Sequence, residues 1–206
     1  MSLFSELNIY KIMKLAKRSD KGLIVKMLTD SFQDNKSINY LIPNDSKRMN
    51  RISELMAYSF EVCMASGKVF LSDDEQACAL VSAPEKKKTT LSGLLHEVRL
   101  VLFGIGLKNA LKAMKREKAI SANYPDSPIY YLWFIGVKPQ AQGKGVGGKL
   151  LTEIIEDAEV EHRPVFLETS TLKNIPWYER YGLKIYKELD FGYTLYLISN
   201  KTNDNI

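Results

Sequence analysis

The stretch VKPQAQGKGVGGKLL, Val137 to Leu151, places four glycines and two lysines in the seven residues from Gly143 to Lys149. Before it runs IYYLWFIGV (129–137), rich in aromatic and β-branched residues and apolar on both faces, the pattern of a buried central strand. After it, KLLTEIIEDAEVEH (149–162) puts Leu150, Leu151, Ile154, Ile155 and Ala158 on one helical stripe with acids opposite. Strand, glycine-rich turn and helix form the centre of the fold, and the chemistry depends on what the turn binds.

Three phosphate-binding patterns overlap there. Gly143 to Gly148 satisfies GxGxxG, with Glu168 at about the distance of a ribose-binding acid. A dinucleotide fold, however, places its first glycine directly after the strand, and here Lys138 to Gln142 intervene. Gly143 to Lys149 also satisfies GxxxxGK, but Leu150 stands where a nucleotide-hydrolysing loop needs Ser or Thr for magnesium. Gln142-x-x-Gly145-x-Gly147, entered from a strand and continued by a helix, fits without exception. The first turn of a helix leaves amides unpaired at the positive end of its dipole. Glycines remove the Cβ atoms that would keep a pyrophosphate away. Gly143, Gly145, Gly147 and Gly148 are therefore expected to be positions of close ligand approach, with Gln142 and Lys144 adding donors or charge.

Around this centre the chain alternates helix and strand signals. Asp20 is expected to cap a helix over KGLIVKMLTDSF (21–32), and a second helix is expected within 43–66, with Ile52, Leu55, Met56, Phe60 and Cys63 on one face. KVFLS (68–72) and ACALVSA (77–83) read as a hairpin turned by DDEQ. Residues 89–103 and 107–120 read as two helices broken around Gly104 and Gly106, and SANYPDSP (121–128) as a loop. VFLETS (165–170) is a further buried strand, and PWYERY (176–181) a short helix stopped by Gly182. Residues 184–199 form a closing hairpin, and the tail, 200–206, is expected to be disordered. The reading is one α/β domain over 1–206, antiparallel at its ends, with a strand–helix–strand crossover in its middle.

Composition narrows the function classes. Apolar content of 45% and charged content of 26% are those of a soluble globular chain. The longest apolar stretch, Leu100 to Leu107, is far short of the ~20 residues of a membrane span. The first twenty residues show no signal-peptide apolar region, so a cytoplasmic protein with no membrane partner is expected. Cys63 and Cys78 read as buried reduced thiols, and His96 and His162 are isolated, so no metal site is expected. The net charge of +5 allows an anionic ligand. Lys108, Lys112, Lys115, Arg116 and Lys118 read as a solvated helix face, not a nucleic-acid surface, since no aromatics interleave them.

Residues 129–190 resemble the two consecutive cofactor-side motifs of the GCN5-related N-acetyltransferases (GNAT), carried by LWFIGVKPQAQGKGVGGKLL and VFLETSTLKNIPWYERYGLKIYKEL. SFQDNKSINYLIPNDSKR (31–48) is similar, less specifically, to the puromycin-acetyltransferase-like branch, while 85–128 carries no motif. The resemblance implies a mixed, mostly antiparallel central sheet of about six or seven strands flanked by helices, with a helical insertion at about 90–118. It implies acetyl-CoA as cosubstrate and a small-molecule or peptide amine as acceptor. The cofactor would be held by the loop from Gln142 to Gly148, Val146 included, by Ile135 and Val137 on the preceding strand, and by Asn174 and Tyr178.

The implied chemistry is direct acyl transfer in a ternary complex, neither cysteine being placed to carry an acyl group. Tyr178, in the family's tyrosine position near the CoA sulfur, is expected to protonate the departing thiolate. A backbone amide around Ile135–Val137 is expected to hold the oxyanion, with Gly136 marking a bulge. Many relatives carry a glutamate on the strand before the loop, where this chain has Trp133. Glu168 is then a candidate base, or equally the partner of a nearby lysine; deprotonation through ordered water, or capture of the small neutral amine fraction, would serve too. A non-catalytic CoA-binding sensor is the alternative reading. A homodimer is expected only if the insertion exposes an apolar face.

Overall fold

The structure is a computed structural model and describes residues 13–86 and 90–201. The first dozen residues read for a leader, and the tail from 202 onward, lie outside the described residues. Seven strands form one sheet: β1 (Met13–Leu15), β2 (Lys68–Ser72), β3 (Ala77–Ser82), β4 (Tyr130–Val137), β5 (Val165–Thr169), β6 (Lys184–Asp190) and β7 (Thr194–Ser199). Their spatial order is β1-β2-β3-β4-β5-β7-β6, and β4–β5 is the parallel pair among antiparallel neighbours. A parallel pair needs a crossover, which α6 (Val146–Val160) supplies. The remaining helices are α1 (Lys21–Phe32), α2 (Lys36–Leu41), α3 (Arg48–Ser66), α4 (Leu91–Arg99), α5 (Leu107–Ser121) and α7 (Ile175–Glu179). The mixed, mostly antiparallel sheet flanked by helices is the architecture expected from the sequence.

Both faces of the sheet are covered. On one, α1 and α3 bury Ile24, Leu28, Ile52, Met56 and Phe60 against Leu71, Leu80 and Phe134. On the other, α6 lays Leu150, Leu151, Ile154 and Ala158 on Ala79, Val81, Tyr130 and Leu132. Tyr130 and Leu132 thus face α6, yet Phe134 faces α1 and α3, breaking the two-residue alternation of a strand. The register explains it: Leu80 pairs with Phe134 and Val81 with Leu132, leaving Trp133 as an extra residue on β4. This bulge sits at Trp133 and not at Gly136, because it follows from the pairing count between β3 and β4. Gly136 has a different cause. A Cβ there would lie 2.8 Å from the Leu28 Cδ2 atom, so its bareness lets α1 lie on β4.

Two local signals resolve differently from expectation. Asp20 precedes α1, but its carboxylate accepts a 2.7 Å hydrogen bond from the Lys17 amide, closing a tight turn over Arg18–Asp20 instead of capping α1. In the insertion, α4 runs on through a wide helical turn, Leu100–Ile105, and the chain breaks only at Gly106, with φ of +78°. Gly104 lies inside that turn. The α3 helix ends at Gly67, where a Cβ would meet the Val81 carbonyl oxygen at 2.0 Å. Since backbone cannot yield as a side-chain tip can, Gly67→Ala is expected to lower unfolding free energy by about 1–3 kcal/mol. Urea denaturation measures this directly, and an unchanged midpoint would contradict the packing described.

Candidate active site

Between β4 and β5 the sheet opens. Registered pairing is confined to Tyr130 with Val165 and Tyr131 with Phe166, near the start of both strands. Past the bulge, Lys138 N donates to Gln76 O on the β3 side. Counting back by twos, the amides of Gly136 and Phe134 share that direction, and those of Ile135 and Val137 point to the side β5 has left. The opening therefore has backbone donors on one wall without cost to the β3–β4 ladder.

The glycine-rich loop lies at the end of this opening. The Gln142 side chain donates to Val137 O at 3.1 Å, tying the loop to the end of β4. Gly143 and Gly145 adopt left-handed backbone, with φ of +76° and +82°, which a β-carbon would strain. Lys149 N is the first amide of α6 to bond back, to Gly145 O at 3.1 Å, while the amides from Gly143 to Gly148 have no protein acceptor among the described residues. Donors fanned at a helix start, with Lys144 exposed among them, suit a diphosphate. Gly147 and Gly148 have a reason beyond ligand approach. A Cβ on Gly147 would meet Val137 Cγ2 at 3.0 Å, and one on Gly148 would meet the Tyr181 hydroxyl at 2.2 Å. The bareness of Gly147 lets the start of α6 lie on β4, and that of Gly148 admits Tyr181 from just beyond α7.

That contact brings Tyr178 to the site. Gly182, at φ of +76°, stops α7, and Leu183 N returns to Tyr178 O. Trp177 packs on Tyr178 with ring centroids 4.7 Å apart. Tyr178 is 6% exposed and its hydroxyl makes no hydrogen bond to the described protein. Burial first, then the nearby negative charge of Glu168, push this phenol well above the ordinary tyrosine range. It keeps its proton at any physiological pH. Asn174 lies half-buried at the head of α7.

Glu168, on β5, is the hub of the opening. Its Oε1 accepts from Arg116 at 3.1 Å and its Oε2 from the Tyr131 hydroxyl at 2.5 Å. The expected lysine partner is thus an arginine, supplied by α5. Arg116 also donates to the Tyr193 hydroxyl at 3.2 Å and to Ser37 Oγ at 3.4 Å, joining α2, the β6–β7 turn and β5. Arg116 and Glu168 side chains are each 10% exposed. Arg116, Tyr193 and Ser37 were not singled out from sequence as site residues. Spacing does put Arg116 on one helical face with Ala113 and Ile120 on α5, but it does not tell that this face turns inward. Removing one member of a buried pair strands the other, so Arg116→Met is expected to cost about 3–5 kcal/mol of stability. Chemical denaturation at neutral pH checks it, and a loss below 1 kcal/mol would show Glu168 solvated instead of buried.

Cys63 and Cys78 are buried free thiols, as expected, and burial pushes the Cys78 thiol up to about 12. Among the described residues no group of His, Cys, Asp or Glu could hold a metal ion, and no helix is long and apolar enough to cross a membrane.

Comparison with known proteins agrees with this geometry. A family model described as an acetyltransferase (GNAT) domain matches residues 112–185, from α5 through the loop to the start of β6. An uncharacterised N-acetyltransferase of Schizosaccharomyces pombe is 28% identical over 165 residues, covering 75% of this chain and 67% of that protein. Among solved structures, a histone acetyltransferase HPA2 and related acetyltransferase from Corynebacterium glutamicum superposes with a TM-score of 0.66 at 17% identity, covering 91% of this chain and 94% of that one. Arabidopsis thaliana Naa50, in complex with the bisubstrate analogue CoA-Ac-MVNAL, gives 0.51 at 11% identity over 92% and 97% of the two chains. The opened β4–β5 pair, the amide-lined glycine loop and the family model point the same way: residues 112–185 match the acetyltransferase (GNAT) domain, and the chain as a whole has the fold of the acetyltransferases it superposes on.

Proposed function

We propose that the protein transfers an acetyl group from acetyl-CoA to a primary amine by direct attack within a ternary complex. The observation that carries the reading is the run of amides from Gly143 to Gly148 with no protein acceptor at the strand-to-helix turn. The residues present suit the cosubstrate: a donor-rich loop for the diphosphate and a buried phenol whose hydroxyl is not already engaged, with Asn174 at the head of α7 as a further donor. Bound acetyl-CoA supplies an activated thioester.

The chain's own groups then divide the work. The amides of Ile135 and Val137, freed by the divergence of β5, are the donors for the carbonyl oxygen as charge grows on it. Tyr178 gives its proton to the departing sulfur. Trp133 leaves β4 without a carboxylate, and both Glu168 oxygens already accept hydrogen bonds, so Glu168 takes up the amine proton through an intervening water. A polar cleft of about 480 Å³, lined by Gln33, Asp34, Asn39, Tyr40, Asn109 and Lys112 among others, suits the acceptor. It lies one ring from the Glu168 network, since Tyr40 packs on Tyr193 at 5.7 Å. Asp34 offers a countercharge to an incoming ammonium. The Naa50 complex, with its peptide-bearing analogue, supports an amine on a peptide, and the cleft's polar lining supports a small polar amine equally.

Thiol release from acetyl-CoA across a panel of small amines and N-terminal peptides tests this reading. Amine-dependent release supports it. The absence of Glu at Trp133 favours one second reading, a CoA sensor; tight CoA binding with no release for any amine would establish that instead.

A further inference from the structure

Among the described residues, the helical insertion gathers most of the exposed large apolar side chains. On α4, Leu91, Leu94, Leu95 and Val98 recur at helical spacing on one stripe, and on α5, Leu107, Leu111 and Met114 do the same. Leu102 and Phe103 carry the exposure through the turn between them. All of these are between 46% and 77% exposed. Elsewhere among the described residues the exposed large apolar side chains stand singly, as Leu15, Met49, Val160 and Leu172 on separate elements. Isolated cases need no explanation; a sustained stripe does.

The outward direction of these stripes is fixed by anchors on the opposite faces. Arg99 of α4 grips Glu54 of α3 at 2.6 and 2.7 Å, and α5 turns Arg116 and Ile120 inward. Charge indicates what the stripes meet. Residues 86–118 carry nine Lys and Arg against two Asp and Glu; with Arg99 held on Glu54 and Arg116 turned inward onto Glu168, seven Lys remain against the two acids. Lys108, Lys115 and Lys118 are exposed beside the α5 stripe, and Lys86 is exposed shortly before α4. A two-fold contact with a second copy would set this basic rim against itself. An anionic lipid surface would satisfy both features, with leucines entering the headgroup boundary and lysines meeting the phosphates.

We propose that the α4–α5 insertion is a peripheral docking face for anionic membranes, which would place acetyl transfer beside the bilayer surface. The test is flotation of the full-length protein with phosphatidylcholine–phosphatidylserine vesicles and with phosphatidylcholine vesicles alone. The protein is expected to float with the anionic vesicles, less so as salt rises. Lys115→Gln with Lys118→Gln should weaken the association roughly tenfold. Leu95→Glu with Leu102→Glu should abolish it. Both positions are more than 60% exposed, so unchanged thermal unfolding and CoA binding are expected in that variant. No association with either vesicle would overturn the proposal, as would equal association with both that ignores the lysine changes. A dimer in size-exclusion chromatography dissolved by the Leu→Glu pair, without vesicle binding, would overturn it in favour of self-contact.

Discussion

Gly145→Val is expected to weaken CoA binding roughly a hundredfold or more while leaving the core intact. Gly145 sits at φ of +82° with nothing within 4 Å of a Cβ placed there, so the new side chain meets no protein atom. What it meets is its own backbone: a β-branched residue in left-handed conformation is disfavoured by about 1–2 kcal/mol. The loop can relieve that strain by leaving the conformation in which the amides from Gly143 to Gly148 stand unpaired at the start of α6. Losing even one or two hydrogen bonds to a charged group, at about 1.5–3 kcal/mol each, accounts for the hundredfold loss. Gly145→Ala should fall between wild type and Val. Isothermal titration with CoA measures both, and thermal unfolding controls for the fold. Unchanged affinity in the Val variant would remove the loop from the site.

Tyr178→Phe is expected to lower kcat by roughly two to three orders of magnitude with little change in KM for acetyl-CoA, the signature of a lost proton donor. The fold should tolerate it, because the hydroxyl has no hydrogen bond in the described protein to lose. The pH dependence follows from direction alone. Burial and the Glu168 charge raise this phenol, so its protonated, competent form extends above the ordinary tyrosine range. Wild-type kcat should therefore show no alkaline fall attributable to Tyr178 below about pH 10, the unperturbed value. Steady-state kinetics over pH decides it; a Phe variant with intact kcat would take proton donation from Tyr178.

Much of this was legible in sequence because the decisive elements are local. The β4 run, the glycine loop and the α6 stripe each carry a short-range pattern, and the structure places the elements within three residues of it. The same holds for Gly182, whose stop of α7 needs only its own positive φ. What was not legible depends on pairing between distant segments. Glycine suggested a bulge at Gly136, but the extra residue is Trp133, set by the count between β3 and β4. Glu168 needed a cation, and periodicity could not say that α5, 52 residues away, would supply Arg116. Gly148 read as bare for a ligand's sake, though its Cβ would first strike Tyr181. The insertion is the sharpest case: its basic residues read as a solvated face, which failed for Arg116 because apolar spacing shows that a helix has two faces without showing which one turns inward.

The central claim is that the backbone between Gly143 and Gly148 holds the diphosphate of CoA. A crystal structure with CoA bound tests it most directly. The account predicts diphosphate oxygens within hydrogen-bond distance of those amides, with the pantetheine arm running between β4 and β5 toward Tyr178. Density for the diphosphate elsewhere, with those amides facing only solvent, would contradict it.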